Sequence, residues 1–381
     1  MLQRRLAHER TVLLSEETPA GPVVPTAAAR PRDGRFSTMA VSGVLAAVLG
    51  AAALLMPVPY VVESPGPTFN TLGKENGTPI IQISGADTYP VTGSLDMVTV
   101  RQGGGLPGNS INILEALQGW ADPDKAVFPA ELIYPPGTTA QDANTAGAAA
   151  MTSSQDTSTA AALNQLGIKY TTELTVAQIP AGSASEGKLK VGDVVLAVDG
   201  APVTDLSVIQ QALADGAGKP VAVRVKRGGA EQDVSVAPTL GDNGKYLLGI
   251  SLQTVPTFPF EVKFGLQNIT GPSAGMMFAL AIIDTLTPSD ITGGKHFAGT
   301  GTIDPQGNVG AIGGIAQKMI GARNSGATVF LAPGANCNDV VGHVPDGLQV
   351  VKVDTLTEAY DAVKLIGSGA DGSTLPTCTA G

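Results

Sequence analysis

Histidine and cysteine are scarce in this chain, and their scarcity removes several kinds of chemistry. Only His8, His296 and His343, with Cys337 and Cys378, occur among 381 residues. None of the histidines stands at ligand-like spacing from a cysteine or a carboxylate, so no metal centre is expected. The sequence also lacks a G-x-x-x-x-G-K-S/T segment, the loop whose backbone cradles nucleotide phosphates, so no nucleotide and no other cofactor is assigned. A formal charge of −10 without a basic stripe speaks against nucleic acid as a partner. No segment repeats at a fixed period.

What is present is an apolar content of 43%, with 48 glycines and 27 prolines spread among periodic apolar segments, which reads as a folded body with a few loose linkers. The length calls for more than one domain. Charge is polarised along the chain. Residues 1–38 carry six arginines against four acids, net +2, and the remainder is net −12. That leader has little apolar period and reads as a disordered cytoplasmic tail.

Between the two lies Met39 to Met56, 18 residues without a charge. As a helix it would span about 27 Å, close to the hydrocarbon thickness of a bilayer. Arg30, Arg32 and Arg35 precede it, and Pro57, Pro59 and Tyr60 follow. The positive-inside rule then keeps the N-terminus in the cytoplasm and puts the body outside, as a single-pass protein of the cell membrane. A cleaved signal peptide is the other reading; the run is long for an h-region and its leader is long for an n-region. In an oxidising compartment Cys337 and Cys378 could form one disulfide that pins the tail after Ile366, or they stay as two free thiols.

Beyond the anchor, Ile80–Ser84 and Gly93–Val100 read as strands, Ile111–Trp120 suits a helix, and Ala148–Leu166 reads as an Ala-rich helix. From Leu166 to about Leu252 the texture changes to short strands with turns around one helix, Leu206–Leu213, a block of module size. Strands and helices alternate again from about Val255 to Ile366.

Two segments carry the candidate chemistry. Gly271-Pro272 breaks the preceding chain, and Ser273 opens an apolar helical run through Met276, Met277, Leu280 and Ile283. A serine there sits beside unpaired N–H groups and the positive end of the helix dipole, which could form an oxyanion hole. It is equally the position of an ordinary N-cap. The second segment ends at Lys318, 45 residues on. Ile312, Ile315, Met319 and Ala322 lie at helical spacing, and Lys318 borders that stripe. Burial would lower its pKa from about 10.4 towards the range in which an amine can take a proton from serine. The alternative is a lysine that snorkels to solvent from a core helix. A histidine base, from His296 or His343, is a weaker possibility.

Gly271-Pro272-Ser273-Ala274-Gly275, Gly299-Thr300-Gly301-Thr302 and Gly307-Asn308-Val309-Gly310-Ala311-Ile312-Gly313-Gly314-Ile315-Ala316-Gln317-Lys318 together resemble the proteolytic domain of Lon-type serine peptidases. The resemblance implies Ser273 as nucleophile, Lys318 as general base, Thr300 as the hydroxyl that orients the amine, and backbone N–H groups of Ser273 and Ala274 as oxyanion donors. The chain departs from the ATP-dependent pattern at Thr270 and Thr302, where acids are usual, and in carrying no ATPase segment. Gly182-Ser183-Ala184, Leu189-Lys190-Val191-Gly192-Asp193-Val194-Val195 and Val198-Asp199-Gly200 resemble a bacterial PDZ domain. That resemblance implies a carboxylate-receiving loop at Leu166-Gly167-Ile168 and a strand, Leu174–Ile179, that pairs with an extended peptide. A purely structural β module is the alternative.

The order of segments is similar to that of the membrane-anchored PDZ-containing Lon-like peptidases of Gram-positive bacteria and actinobacteria. The expected fold is α+β: a transmembrane anchor (39–56), the first part of a Lon-like domain (57–165), an interrupting PDZ domain (166–254), the catalytic part (255–366) and a tail (367–381). The resemblance implies an ATP-independent serine endopeptidase acting on protein or peptide substrates outside the cytoplasm, and a homo-oligomer, since Lon-type domains commonly form rings. A catalytically silent PDZ scaffold that binds exported protein tails would keep the same fold.

Overall fold

The computed structural model describes residues 34–266 and 269–379. Most of the expected N-terminal tail therefore lies outside the described residues. The described residues divide into two units, one ending at Ala53 and one beginning at Leu54. In the first, helix α1 (Gly34–Leu55) starts ahead of the uncharged run and takes in Arg35. It is long and apolar enough to cross a membrane, by length and composition. It stops before Pro57, whose ring disfavours helical geometry in the residue preceding it.

The second unit begins with strands β1 (Tyr60–Asn70), β2 (Ile81–Ser84) and β3 (Ser94–Gly104). Helix α2 (Ile113–Ala121) follows, its first turn closed by a reciprocal Asn112–Glu115 capping box, then strand β4 (Ala126–Pro129). Helix α3 (Ala140–Gln165) is a full two turns longer than its Gly-free part predicts. A second capping box, Thr139 with Asp142, starts it early. Gly147 sits inside the helix because a Cβ there would come within 2.8 Å of Thr270 Cβ.

The chain then leaves this body. Strands β5 (Thr171–Gln178) and β6 (Val194–Val198), helix α4 (Leu206–Gly216), and strands β7 (Val221–Arg227), β8 (Ala230–Val236) and β9 (Ser251–Thr257) build a separate sheet in the order β8-β7-β6-β5-β9. Strands β7 and β8 are joined through Gly228-Gly229, both at positive φ as a two-residue hairpin turn requires. In β7 the inward residues Val221, Val223 and Val225 are buried and alternate with exposed Ala222, Arg224 and Lys226. Ile209 and Leu213 of α4 close that core from above.

Strand β10 (Glu261–Phe264) brings the chain home by pairing with β2. Helix α5 (Gly275–Leu286), strand β11 (His296–Gly299), helix α6 (Ile315–Asn324), strands β12 (Val329–Pro333) and β13 (Gln349–Val353) and helix α7 (Leu356–Gly367) complete the body. Its sheet has the order β13-β12-β11-β3-β1-β4. The four strands β13, β12, β11 and β3 run parallel, while β1 and β4 pair antiparallel.

All five residues of β12 are buried, as expected for a parallel strand covered on both faces. Val329 and Leu331 pack into the core built on α5; Phe330 and Ala332 pack into the one built on α6. Helix α5 is buried from Gly275 to Asp284, all round, as its unbroken apolar sequence dictates. Each of its large side chains, Phe278 among them, stabilises the fold by roughly 1.5–3 kcal/mol through burial. This arrangement puts the start of α5 and the face of α6 on opposite sides of one sheet. The loop after β11 lies between them.

Candidate active site

The turn Gly271–Ala274 leads into α5, and both of its flanks are pinned. On one side Gly271 N–H donates to Gly147 O at 3.0 Å and Ser154 Oγ donates to Pro272 O at 3.1 Å, both on α3. On the other, Gly301 N–H and Thr300 Oγ1 donate to Ser273 O at 2.8 and 3.0 Å, and Met276 N–H donates to Gly301 O at 3.1 Å. Gly271 holds φ +94°, a conformation that side-chain-bearing residues rarely adopt. A Cβ on Gly275 would approach Ile303 and Ser154 Oγ to 3.0 Å, so the close seat of the turn depends on that glycine too.

Ser273 is not the helix cap. Ala274 occupies that position and no side chain caps the helix. The Ser273 side chain makes no hydrogen bond among the described residues and is partly exposed to a cleft of about 760 Å³. The N–H groups of Ser273 and Ala274 likewise make no hydrogen bond among the described residues.

Lys318 enters the same cleft from α6, one turn beyond Gly314, whose carbonyl accepts its backbone N–H at 3.0 Å. The side chain is 3% exposed. Its Nζ donates to Thr300 Oγ1 at 3.1 Å. Thr300, fully buried, thus ties the amine to the carbonyl of Ser273 by two consecutive bonds. Burial pushes the Lys318 ammonium down to about 8, and the Glu63 carboxylate acts in the opposite sense. No direct hydrogen bond joins Nζ to the Ser273 hydroxyl. Ile312 lies outside α6, because Gly314 at φ +66° starts the helix; the buried stripe is Ile315, Met319 and Ala322.

The histidines are elsewhere. His296 Nε2 lies 2.7 Å from Asp96 Oδ2, and His343 lines a different cavity beside α6. Thr270 faces Gly147, and Thr302 packs against Gly310. Cys337 and Cys378 are joined as a disulfide, and Lys352 N–H donates to Pro376 O at 2.9 Å, so the tail lies along β13.

The expected peptide site needs correction. Leu166 is the C-cap of α3, Gly167 ends that helix at φ +69°, and Ile168 N–H donates back to Leu163 O. The strand that follows, β5, is flanked by β6 on one side and β9 on the other, so it has no edge to offer. The edge belongs to β9, which has no strand on its outer side among the described residues. It is entered from a second Leu-Gly-Ile, Leu248-Gly249-Ile250, with Gly249 also at positive φ. The repeated tripeptide was the available signal, and only sheet order separates its two copies. Glu63, buried on β1, is not among the residues the sequence singled out. Its signal is an acid two residues from fully buried Val61 on the inward face of β1.

Comparison with known proteins bears on both sites. The profile of the Lon protease (S16) C-terminal proteolytic domain matches residues 262–365, and that of the PDZ domain matches residues 151–237. A Lon-type proteolytic domain and a PDZ domain are present. The Lon protease of Mesomycoplasma hyopneumoniae is 38% identical over 96 residues, which are 24% of this chain and 11% of that one. The archaeal Lon protease of Methanocaldococcus jannaschii is 40% identical over 97 residues, 26% and 14% of the two chains. The chain therefore spans only about a tenth of the length of such curated relatives. A PDZ domain of an SdrC-like protein from Listeria monocytogenes aligns over 21% of this chain and 85% of its own, at 18% identity and a TM-score of 0.20. The Lon-type match starts at β10, where the chain re-enters the body, and contains Ser273, Thr300 and Lys318.

Proposed function

We propose that this protein is an ATP-independent, membrane-anchored serine endopeptidase that works outside the cytoplasm through a Ser273–Lys318 dyad, with the PDZ module holding protein substrates. The observation that carries the reading is a buried, depressed amine on Thr300 in the same cleft as a serine whose hydroxyl and N–H group make no hydrogen bond among the described residues. When a peptide fills the cleft, the Ser273 hydroxyl turns onto Nζ. Lys318 takes its proton as Oγ bonds to the scissile carbonyl carbon, and the N–H groups of Ser273 and Ala274 face the oxyanion. The proton passes to the departing amine as the C–N bond breaks. Lys318 then deprotonates the water that releases the acyl group.

Thr300 orients the amine by accepting a hydrogen bond from Nζ. Substrate tails would add a strand to the free edge of β9 and place their carboxylate at Leu248-Gly249-Ile250, which raises their concentration at the dyad. Helix α1, with Arg35 at its start, supports the anchor, and the disulfide fits an oxidising compartment. A homo-oligomeric ring is part of the proposal on family grounds.

The test is cleavage of an unfolded protein, without nucleotide, by the full chain, by Ser273→Ala and by Lys318→Ala. Each variant should lose at least about 10³-fold in rate. Equal cleavage by all three forms would leave the silent scaffold standing.

A further inference from the structure

We propose that Glu63 is the counter-charge for the Lys318 ammonium and is held in register by Gln102 and Tyr134, a positioning role supplied from β1. The inference rests on the dyad reading above. It addresses the one feature that reading leaves open, since Thr270 and Thr302 stand where acids were expected.

The geometry is built rather than incidental. Strand β1 alternates, and its inward positions are Val61 and Glu63, the latter 4% exposed. Glu63 Oε1 accepts from Gln102 Nε2 at 2.5 Å, and Gln102 Oε1 accepts from Tyr134 Oη at 3.0 Å. The other carboxylate oxygen lies against the first turn of α6: a Cβ on Gly314 would stand 3.0 Å from Oε2 and 2.8 Å from Val100 Cγ1. Glycine is therefore required at 314 for two reasons, its positive φ and the approach of Glu63. The positive end of the helix dipole faces the carboxylate there. Lys318 follows one turn later, out of ion-pair contact, so Glu63 acts on it through the low-dielectric interior.

The chemistry needs such a group. An amine buried deeply enough to be neutral accepts the serine proton poorly unless the ammonium it becomes is stabilised. Burial and Glu63 act on Lys318 in opposite directions, and burial together with Glu63 raises the Tyr134 phenol. Of the elements packed on α6, β3 carries Asp96, engaged by His296, and Arg101, exposed at the cleft. The turn Cys337–Val340 carries Asp339, exposed, and β12 carries no charge. Glu75 and Tyr134 complete the titratable lining of the cleft. Asp96 is as buried and as well anchored, but it meets α6 at its far end, where the C-cap Ser325 Oγ donates to it at 3.4 Å; Glu63 meets the helix at its start, one turn from the lysine.

The experiment is the pH dependence of kcat/KM for the full chain in detergent micelles, with Glu63→Gln, Glu63→Asp and Ser273→Ala beside it. Glu63→Gln removes the charge and keeps the shape. Its acid limb should move to lower pH by about one unit, and the plateau rate should fall about tenfold, while Glu63→Asp restores most of both. An unmoved acid limb in folded, cleaving Glu63→Gln overturns the proposal. Should Glu63→Gln fail to fold, Gln102→Leu is read instead, since it frees the carboxylate from its anchor. A shift in the same direction, about half as large, is expected, and no shift again overturns the idea. Ser273→Ala keeps the two failures apart. Cleavage that persists in it removes the dyad itself, whereas cleavage lost in it beside an unmoved limb removes only the role of Glu63.

Discussion

The proteolytic body and the PDZ module offer their working parts in opposite forms. In the body the proposed part is a side chain, Lys318, buried and fixed on Thr300. In the module the proposed part is a stretch of backbone, the outer edge of β9, which pairs with no further strand among the described residues and faces α3 across a cavity. A buried amine demands particular residues at fixed offsets, because each lost water must be replaced by a partner. An open edge demands only a missing neighbour. Chemistry of the first kind is written in motifs, and the second is written in topology.

Charge separates the two regions as well. The module is held by an ion pair at its base: Arg227 Nη2 lies 2.6 Å from Asp193 Oδ2, and the Asp193 side chain is 1% exposed. The hydrogen bond from Arg227 holds the Asp193 carboxyl below its ordinary value. The stability it gives is present above the unfolded carboxylate value near 4 and is lost as pH falls through the lower folded value. The body contains the converse. Asp284, fully buried in α5, is pushed up to about 6 by burial, and its Oδ2 has no hydrogen-bond partner among the described residues. Its folded form holds the proton more tightly than the unfolded chain does. That contribution is present below about pH 4 and is lost as pH rises through about 6.

Asp193→Ala should break the comparison most strongly, destabilising the module by about 2–4 kcal/mol while the body keeps its fold. Hydrogen exchange resolved by segment would show it, and equal loss of protection in both regions would contradict the separation. Asp284→Asn should act on the body alone and in the other direction. It should gain about 1–2 kcal/mol at pH 8 and little at pH 4, because the amide removes the desolvated charge but still lacks a partner for one polar atom. Thermal unfolding at the two pH values reads this directly. The smallest effect belongs to the free edge. Amidating the C-terminus of an unfolded substrate should slow its cleavage about tenfold without changing cleavage of a short internal peptide, and equal slowing of both would place the carboxylate elsewhere.

How far the sequence was legible follows the same division. Ser273 and Lys318 stand out in the sequence as candidates, because glycines and apolar residues at fixed offsets frame both of them. Thr300 gained its place only through resemblance, and the structure gives the reason in its bonds to Nζ and to Ser273 O. Glu63 was hidden because its partner Gln102, and Tyr134 that bonds Gln102 in turn, sit on other segments, 39 and 71 positions away. The two Leu-Gly-Ile tripeptides look alike in sequence. The first is a helix stop, and only the pairing of β5 on both sides shows that the second leads to the edge. The early start of α3 was obscured by Gly147, which reads as a breaker until Thr270 is found against it.

The central claim is that a neutral Lys318 takes the proton of Ser273. The most direct test is the rate of nucleotide-free cleavage of an unfolded protein between pH 6 and 10, by the full chain and by Ser273→Ala. The account predicts a rate that rises with pH through a midpoint near 8, where burial has brought the lysine to half-deprotonation, to a plateau above about pH 9, and no cleavage by the variant. A flat profile across that range, or cleavage that survives in Ser273→Ala, would contradict it.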